Sequence, residues 1–260
     1  MVGATSGIGL AMSERLVQEG SKVVAVGRRE DKLDAFVSRH GKDRAAAIKF
    51  DIGDSAGIDD FVSEAPTKHP DIDCIFLNAG TQHPVNLTEP SNETLTKFHA
   101  EINVNFTSFV DLSLKFLPFL KAKTEPTSLI FTGTHLALVP AMTLTAYSAS
   151  KAALNSFVMS LRAQLHESTV KVIEIWPPLV QTELHDYDGP RGRTMGMPVD
   201  KFVDAAYEGL LAGKALVAIG TVGPPGMVSE AYFSKMIQER EAVFEQLTRA
   251  MRGEKWEALA

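Results

Sequence analysis

The chain has 260 residues, of which 45% are hydrophobic, so it can bury a large core in one α/β domain spanning residues 1–260. Its 32 acidic and 26 basic residues give a formal net charge of −6, which argues against nucleic acid or an anionic membrane as partners. The single cysteine excludes an intrachain disulfide framework, and the seven histidines show no paired metal-ligand spacing, so we expect no metal site.

A glycine-rich stretch comes first in the chain. Gly3, Gly7 and Gly9 run into an amphipathic helical pattern, and residues 21–26 then read as a buried strand. Glycines in this position allow a tight turn and let a pyrophosphate approach backbone N–H groups at a helix N-terminus. Glycines also serve ordinary turns, so the motif indicates a dinucleotide site only within a strand–loop–helix unit.

Little of a strand precedes this loop, because only Met1 and Val2 stand before Gly3. A central strand buries several apolar side chains worth about 1.5–3 kcal/mol each, against a total domain stability of about 5–15 kcal/mol. We therefore expect that the sequence lacks most of the native first strand and that it folds weakly as it stands.

The second strand ends in Gly27-Arg28-Arg29. In dinucleotide-binding folds this strand end meets the adenosine ribose, and an acidic residue there binds a free 2′-hydroxyl. Two arginines suit a 2′-phosphate instead, because guanidinium groups form charge-assisted bonds with phosphate. The alternative is that both arginines belong to a solvated helix N-terminus.

Strands and helices continue to alternate along the chain, which predicts a parallel, doubly wound sheet. Polar residues follow several strands, as expected where such sheets bind ligands. Further strands are predicted at 45–50, 73–77, 128–132, 170–176 and 215–219, and helices at 55–65, 93–120, 200–211 and 229–251.

One helix, starting near Thr145, carries Tyr147 and Lys151 one turn apart, which places both side chains on the same face. A tyrosine hydroxyl titrates near ~10, and a nearby ammonium lowers its pKa and makes it usable as a proton donor or acceptor. The same spacing also arises by accident on a helix surface.

Residues 183–198 are rich in Gly, Pro and Arg and have no periodicity, so we expect a mobile loop that acts as a substrate lid. Residues 224–260 are expected to form a helical extension that serves as an interface, a pocket wall or a packed tail.

Together these motifs resemble the short-chain dehydrogenase/reductase family, from Gly3 to about Ile219. The family's glycine, Asn-Ala-Gly and Tyr-x-x-x-Lys motifs correspond to the glycine loop, to residues 78–80 and to the Tyr147–Lys151 pair. The stretch 134–140, with Pro177-Pro178, is similar to a subgroup described as DltE-like. The resemblance implies a single-domain Rossmann-type fold with strand order 3-2-1-4-5-6-7 and a truncated strand 1.

The resemblance also implies an enzyme that transfers a hydride between a nicotinamide cofactor and a carbonyl or secondary alcohol substrate. It assigns proton transfer to Tyr147, pKa lowering and ribose binding to Lys151, carbonyl positioning to Thr134 and a water relay to Asn105. The arginines at the second strand predict NADP(H) in preference to NAD(H). The residues expected to bind the cofactor are Gly3, Thr5, Ser6, Gly7, Ile8, Gly9, Arg28, Asp51, Ile52, Asn78, Ala79, Gly80, Tyr147, Lys151, Pro177, Val180 and Thr182.

Three positions depart from the family pattern. Val2 replaces a threonine whose hydroxyl normally braces the turn, Thr134 replaces the catalytic serine, and Pro178 replaces a glycine and so donates no N–H. These departures leave a second hypothesis open, namely a non-catalytic dinucleotide-binding sensor or scaffold of the same fold.

The expected partners are a small carbonyl or alcohol substrate and further copies of the chain. The resemblance implies a homodimer or homotetramer that pairs the Asn105 and Tyr147 helices, with Phe109, Leu112 and Phe116 on apolar outer faces. No charged-then-apolar leader and no apolar run of about 18 residues occurs, so we expect a cytoplasmic protein.

Overall fold

The computed structural model describes residues 1–224 and 226–259. Its strands are β1 (Val23–Gly27), β2 (Ala45–Lys49), β3 (Cys74–Leu77), β4 (Thr127–Thr132), β5 (Val170–Trp176) and β6 (Leu216–Ala218). Its α-helices are α1 (Gly7–Gln18), α2 (Glu30–His40), α3 (Ile58–Lys68), α4 (Asn92–Ile102), α5 (Ser108–Lys121), α6 (Thr145–Gln164), α7 (Gly189–Gly192), α8 (Val199–Leu211) and α9 (Glu230–Met251).

All paired strands are parallel, in the groups β2–β1 and β3–β4–β5–β6. Val2 joins the two groups through parallel bridges to Val26 and Leu77. The Val2 backbone N–H donates to the Phe76 carbonyl at 2.8 Å, and the Gly3 N–H donates to the Val26 carbonyl at 2.9 Å. The order is therefore β2–β1–Val2–β3–β4–β5–β6, and the predicted fold class is confirmed.

Helices cover both faces of this sheet because successive side chains of a strand point to opposite sides. On β4, Leu129 and Phe131 pack in the same buried cluster as α3, α5 and the second half of α6. Ile130, between them, packs in the cluster that contains α1 and α8. Because both faces of the sheet are covered, the consecutive positions 129–131 of β4 are all apolar.

The helix predicted over residues 93–120 is interrupted. A π-helical turn at Asn103–Thr107 separates α4 from α5. The turn is tied to the chain after β2, since Asn103 Nδ2 donates to the Gly53 carbonyl at 2.9 Å and Ser108 Oγ to the Ile52 carbonyl at 2.6 Å. π-turns of this kind are frequent at functional sites.

The apolar outer face expected on α5 is wrong. Phe109, Leu112 and Phe116 are each 0% exposed within a single chain and belong to its main core. The sheet covers them, so they are not available to a second copy. The homo-oligomer itself stays a prediction.

Residues 183–198 contain more regular structure than expected. Glu183–Asp188 forms 3₁₀ turns and α7 follows directly. The backbone N–H of Met197 donates to the Leu179 carbonyl at 2.8 Å, so the end of the segment is bonded to the chain that precedes its start. The lid role of the segment stays a prediction.

The described residues divide into two compact units, 1–219 and 220–260. In the second unit α9 begins after Ser229, whose hydroxyl caps the Tyr232 N–H at 3.2 Å, in agreement with the predicted helix. Residues 225 and 260 of the expected extension lie outside the described residues, and the single domain over 1–260 stays a prediction. None of the helices among the described residues is long and apolar enough to span a bilayer.

Candidate active site

The candidate site lies at the carboxyl ends of the strands, where the glycine-rich loop meets the loop after β3. Gly3 has φ of +86°, and a Cβ atom there would lie 2.6 Å from Ala79 Cα, so only glycine fits. Asn78 Nδ2 donates to the Gly3 carbonyl at 3.3 Å. The two predicted glycine-containing motifs are thus in direct contact.

A chain of hydrogen bonds leads from this contact to α6. Thr132 Oγ1, at the end of β4, donates to Asn78 Oδ1 at 2.9 Å. The Thr132 carbonyl accepts from Lys151 Nζ at 2.8 Å. The glycine loop and Lys151 are therefore held in one arrangement through Asn78 and Thr132.

Tyr147 and Lys151 are both buried on α6, 7% and 2% exposed, with the Lys151 Nζ 5.9 Å from the Tyr147 ring centroid. Burial raises the pKa of Tyr147 above its usual value, and a hydrogen bond with the Thr134 side chain opposes that rise. Burial lowers the pKa of Lys151 to about 8, against a smaller upward effect from Glu174. The expected net lowering of the Tyr147 pKa is thus wrong for this structure, because desolvation of the hydroxyl dominates.

Asn105 lies in the π-turn and is fully buried. Its Oδ1 accepts from the Thr81 N–H at 2.9 Å, and its Nδ2 donates to the Thr81 carbonyl at 2.8 Å and to Ser150 Oγ at 3.2 Å. Ser150 Oγ in turn donates to the Tyr147 carbonyl at 2.7 Å. Asn105 therefore fastens the loop after Gly80 to α6.

The start of α1 has the features of a phosphate site. The first intrahelical backbone bond runs from the Leu10 N–H to the Ser6 carbonyl at 3.2 Å, so the N–H groups of residues 7–9 precede the helical ladder. The Thr182 side chain lies opposite, where a Cβ on Gly7 would come within 3.1 Å of it. A dinucleotide pyrophosphate fits this donor set of backbone amides and hydroxyls.

The two arginines after β1 point in different directions. Arg28 Nη1 lies 3.6 Å from Asp51 Oδ2, on the exposed side. Arg29 reaches the glycine loop, where its Nη2 donates to Thr5 Oγ1 at 2.9 Å and to Ser6 Oγ at 2.5 Å. Gly27 permits this approach, since a Cβ there would lie 2.6 Å from Thr5 Cγ2. Both arginines carried the expected preference for a 2′-phosphate, and Arg28 was named as the cofactor-binding residue. In the structure Arg29 is the one of the two that contacts the glycine loop.

The remaining expected cofactor residues lie in or beside the loops that follow the carboxyl ends of the strands. Ile52 is buried in the core beside the π-turn, and Ile8 is half-buried at the start of α1. Pro177 follows β5 directly, and Val180 is buried and bridged to Met197.

Several polar residues at the site were missed in the sequence. Glu174 on β5 is buried, accepts from Asn155 Nδ2 at 2.8 Å and has its pKa raised by burial. Gln82 Nε2 lies 2.9 Å from His185 Nδ1 and donates to the Tyr187 hydroxyl at 2.7 Å, linking the loop after β3 to residues 183–188. A buried carboxylate within an apolar strand pattern is the one signal that could have flagged Glu174.

Buried Glu101 lies near Tyr147 as well. Its Oε1 pairs with His83 Nδ1 at 2.8 Å, and its charge contributes to the raised pKa of Tyr147. Burial raises the pKa of Glu101 itself. The polar surroundings of Tyr147 thus extend onto α4.

Comparison with known proteins agrees with this geometry. The family model described as short chain dehydrogenase matches residues 1–191. The uncharacterized oxidoreductase DltE of Bacillus subtilis (strain 168) is 30% identical over 216 residues, which covers 82% of this chain and 84% of that protein. Benzil reductase ((S)-benzoin forming) IRC24 of Saccharomyces cerevisiae is 30% identical over 202 residues, 75% of this chain and 77% of that protein.

Among solved structures, a short-chain dehydrogenase from Sphingobium yanoikuyae in complex with NADPH has the same fold, with a TM-score of 0.79. It is 23% identical to this chain and covers 94% of both chains. The chain belongs to the short-chain dehydrogenase family. It is an oxidoreductase of the kind that acts on CH–OH and C=O groups.

Proposed function

We propose that the protein is an NADP(H)-preferring oxidoreductase in which Tyr147 exchanges a proton with the oxygen of a carbonyl or secondary alcohol substrate. The observation that carries the proposal is the buried Tyr147 hydroxyl, bonded to Thr134 and one turn from Lys151, at the same strand edge as the glycine loop. A nicotinamide cofactor, when bound, supplies or accepts the hydride.

Tyr147 is the general acid of reduction and the general base of oxidation. During reduction the substrate oxygen takes the Tyr147 proton, and the resulting phenolate is stabilised by the Lys151 ammonium. Burial makes this charge interaction stronger than it would be in water. The raised pKa of Tyr147 favours the protonated hydroxyl, which is the form that donates in reduction.

Thr134 and Asn105 hold this arrangement together. The Thr134 hydroxyl bonds to Tyr147, accepts from the Leu136 N–H at 3.2 Å and is placed to position the substrate oxygen. Asn105 uses its amide on Thr81 and Ser150, so its primary role is to position α6. The water relay expected of Asn105 stays a proposal.

The preference for NADP(H) is supported by Arg29 and its two hydroxyl partners, Thr5 and Ser6. A guanidinium beside two hydroxyls, at the strand end that meets the adenosine ribose, suits a 2′-phosphate. No acidic residue stands at Gly27 to bind a free ribose hydroxyl.

Two experiments test the proposal. The first measures turnover of a panel of ketones, aldehydes and secondary alcohols with each cofactor, and reduction or oxidation with NADP(H) is expected. Tight NADPH binding without turnover of any panel member would instead favour the non-catalytic sensor or scaffold.

The second experiment compares dissociation constants for NADPH and NADH in wild type, Arg29→Gln and Arg28→Gln. Arg28→Gln removes the same charge from the neighbouring residue, which was also expected to bind the cofactor, so the two variants decide which arginine holds the phosphate. A charge-assisted bond of roughly 1.5–3 kcal/mol predicts that Arg29→Gln lowers the NADPH preference about tenfold or more. An equal effect of both variants would contradict a specific role for Arg29.

A further inference from the structure

The Glu183 carboxylate binds one edge of the Arg29 guanidinium group. Arg29 Nη1 donates to Glu183 Oε2 at 2.8 Å, while its Nη2 and Nε contact Thr5 and Ser6. The Ser6 side chain also hydrogen-bonds with the Glu183 carboxylate. The Glu183 carboxylate thus occupies hydrogen-bond donors of Arg29 and of the glycine loop.

Glu183 is placed there by the chain that follows β5. It comes directly after Thr182, whose hydroxyl caps the 3₁₀ turns of Glu183–Asp188 through the Leu184 N–H at 3.4 Å. Further along the same turns, His185 and Tyr187 are held by Gln82. The segment is therefore fastened on one side to the glycine loop and on the other to the loop after β3.

Carboxylate and phosphate are both oxyanions and satisfy the same donors. Arg29 holds the pKa of Glu183 below its usual value, so the carboxylate is ionised at neutral pH. An anion bound at the Nη1 edge of Arg29 and at Ser6 must replace Glu183, since two negative groups sharing these donors would repel each other.

We infer that Glu183 is an internal competitor for a phosphate group of the dinucleotide and thereby sets cofactor affinity. This inference rests on the proposed use of a phosphate-bearing dinucleotide. When the phosphate takes Arg29, the contact between residues 183–188 and the glycine loop is released, so cofactor binding is coupled to movement of this segment. The segment then keeps its contacts with Gln82 on the side of the loop after β3.

The test is a double-mutant cycle on cofactor binding, which needs no substrate. Dissociation constants for NADPH and for NADH are measured in wild type, Glu183→Gln, Arg29→Gln and the double variant. Glu64→Gln is the matched control. Glu64 forms an exposed ion pair with Lys68 on α3, so this variant removes the same charge without touching the cleft.

Glu183→Gln is expected to tighten binding about two- to fivefold, the range for a partly exposed ion pair. The gain should be absent in Glu64→Gln and should disappear when Arg29→Gln is added. A gain confined to NADPH identifies the 2′-phosphate as the competing group, whereas an equal gain for NADH identifies the pyrophosphate.

Unchanged or weaker dinucleotide binding by Glu183→Gln would overturn the inference, as would a gain that persists in the Arg29→Gln background. Hydrogen exchange of residues 183–188 provides a second readout, with faster exchange expected in Glu183→Gln without cofactor. Failure of the proposed function is distinguishable, because it would appear as absence of turnover or of NADPH preference in the wild type.

Discussion

The floor and the rim of the cleft are built differently. The floor consists of Asn105, Thr134, Tyr147 and Lys151, which are between 0% and 7% exposed and are fixed by hydrogen bonds to backbone and to each other. The rim carries Arg28, which pairs with Asp51, and Arg29, which pairs with Glu183. The side chains of Arg28 and Arg29 are 74% and 41% exposed.

This difference separates two kinds of electrostatics. In the floor, desolvation shifts pKa values and strengthens each charge interaction, so a single atom can change the rate strongly. At the rim, water and salt screen the charges, so the ion pairs are weak and exchangeable. Exchangeable pairs are what the proposed replacement of Glu183 by a cofactor phosphate requires.

The largest effect is expected at the floor. Tyr147→Phe removes one oxygen and keeps the ring, so packing and NADPH binding should be preserved. Loss of general acid–base assistance should lower kcat by ~10²–10⁴. Steady-state kinetics and cofactor titration measure both quantities, with Tyr207→Phe on α8 as a matched control. Full activity of Tyr147→Phe would refute the assignment.

The second-largest effect is expected in the pH dependence of kcat/KM. With a pKa lowered to about 8, Lys151 loses its proton as the pH rises, so kcat/KM should fall up to about tenfold per pH unit above that value. Lys151→Arg should remove this limb of the profile, because a guanidinium stays protonated.

The titration of Lys151 should also change the free energy of unfolding, which is expected to rise with pH where kcat/KM falls. Between pH about 8 and the ordinary lysine pKa of 10.5, the unfolded chain holds the proton that the folded chain has lost. The contribution of Lys151 to the free energy of unfolding therefore rises with pH in this window. Comparing denaturant unfolding of wild type and Lys151→Met across the window measures it, and a contribution that falls with pH would contradict the assignment.

A smaller effect is expected at Thr134. Thr134→Val keeps the shape but removes the hydroxyl that bonds to Tyr147 and accepts from the Leu136 N–H. A hydrogen bond worth about 1 kcal/mol predicts a fall in kcat of roughly fivefold. Thr134→Ser keeps the hydroxyl and should remain close to wild type, and an equal loss in both variants would argue against the hydrogen bond.

The smallest effect belongs to the rim. Raising the salt concentration from about 0.05 to 0.5 M shortens the Debye length severalfold, so the preference for NADPH over NADH should fall by a factor of about two to five. The kcat at saturating cofactor should stay constant over the same range. If salt changes kcat and leaves the preference intact, the contrast between floor and rim is wrong.

The sequence alone determined the parallel α/β fold class, because alternating apolar runs and glycine motifs are local patterns. The order of the strands was implied by the resemblance to the family and not by those patterns. The sequence also placed Tyr147 and Lys151 on one helix face, since their spacing matches the helical period. Strand limits agreed to within a few residues, as for Val170–Trp176. The π-turn around Asn105 was invisible, because its anchors at Gly53 and Ile52 are distant in sequence.

Only the tertiary structure decided which charges meet. Arg28 and Arg29 are identical in type and adjacent, and the direction of each depends on Asp51, Thr5 and Ser6. The apolar pattern of α5 could not say whether Phe109 faces the sheet or another chain, because both surfaces select the same residues. The sign of the Tyr147 pKa shift likewise required the burial of its hydroxyl, which depends on how distant segments pack around it.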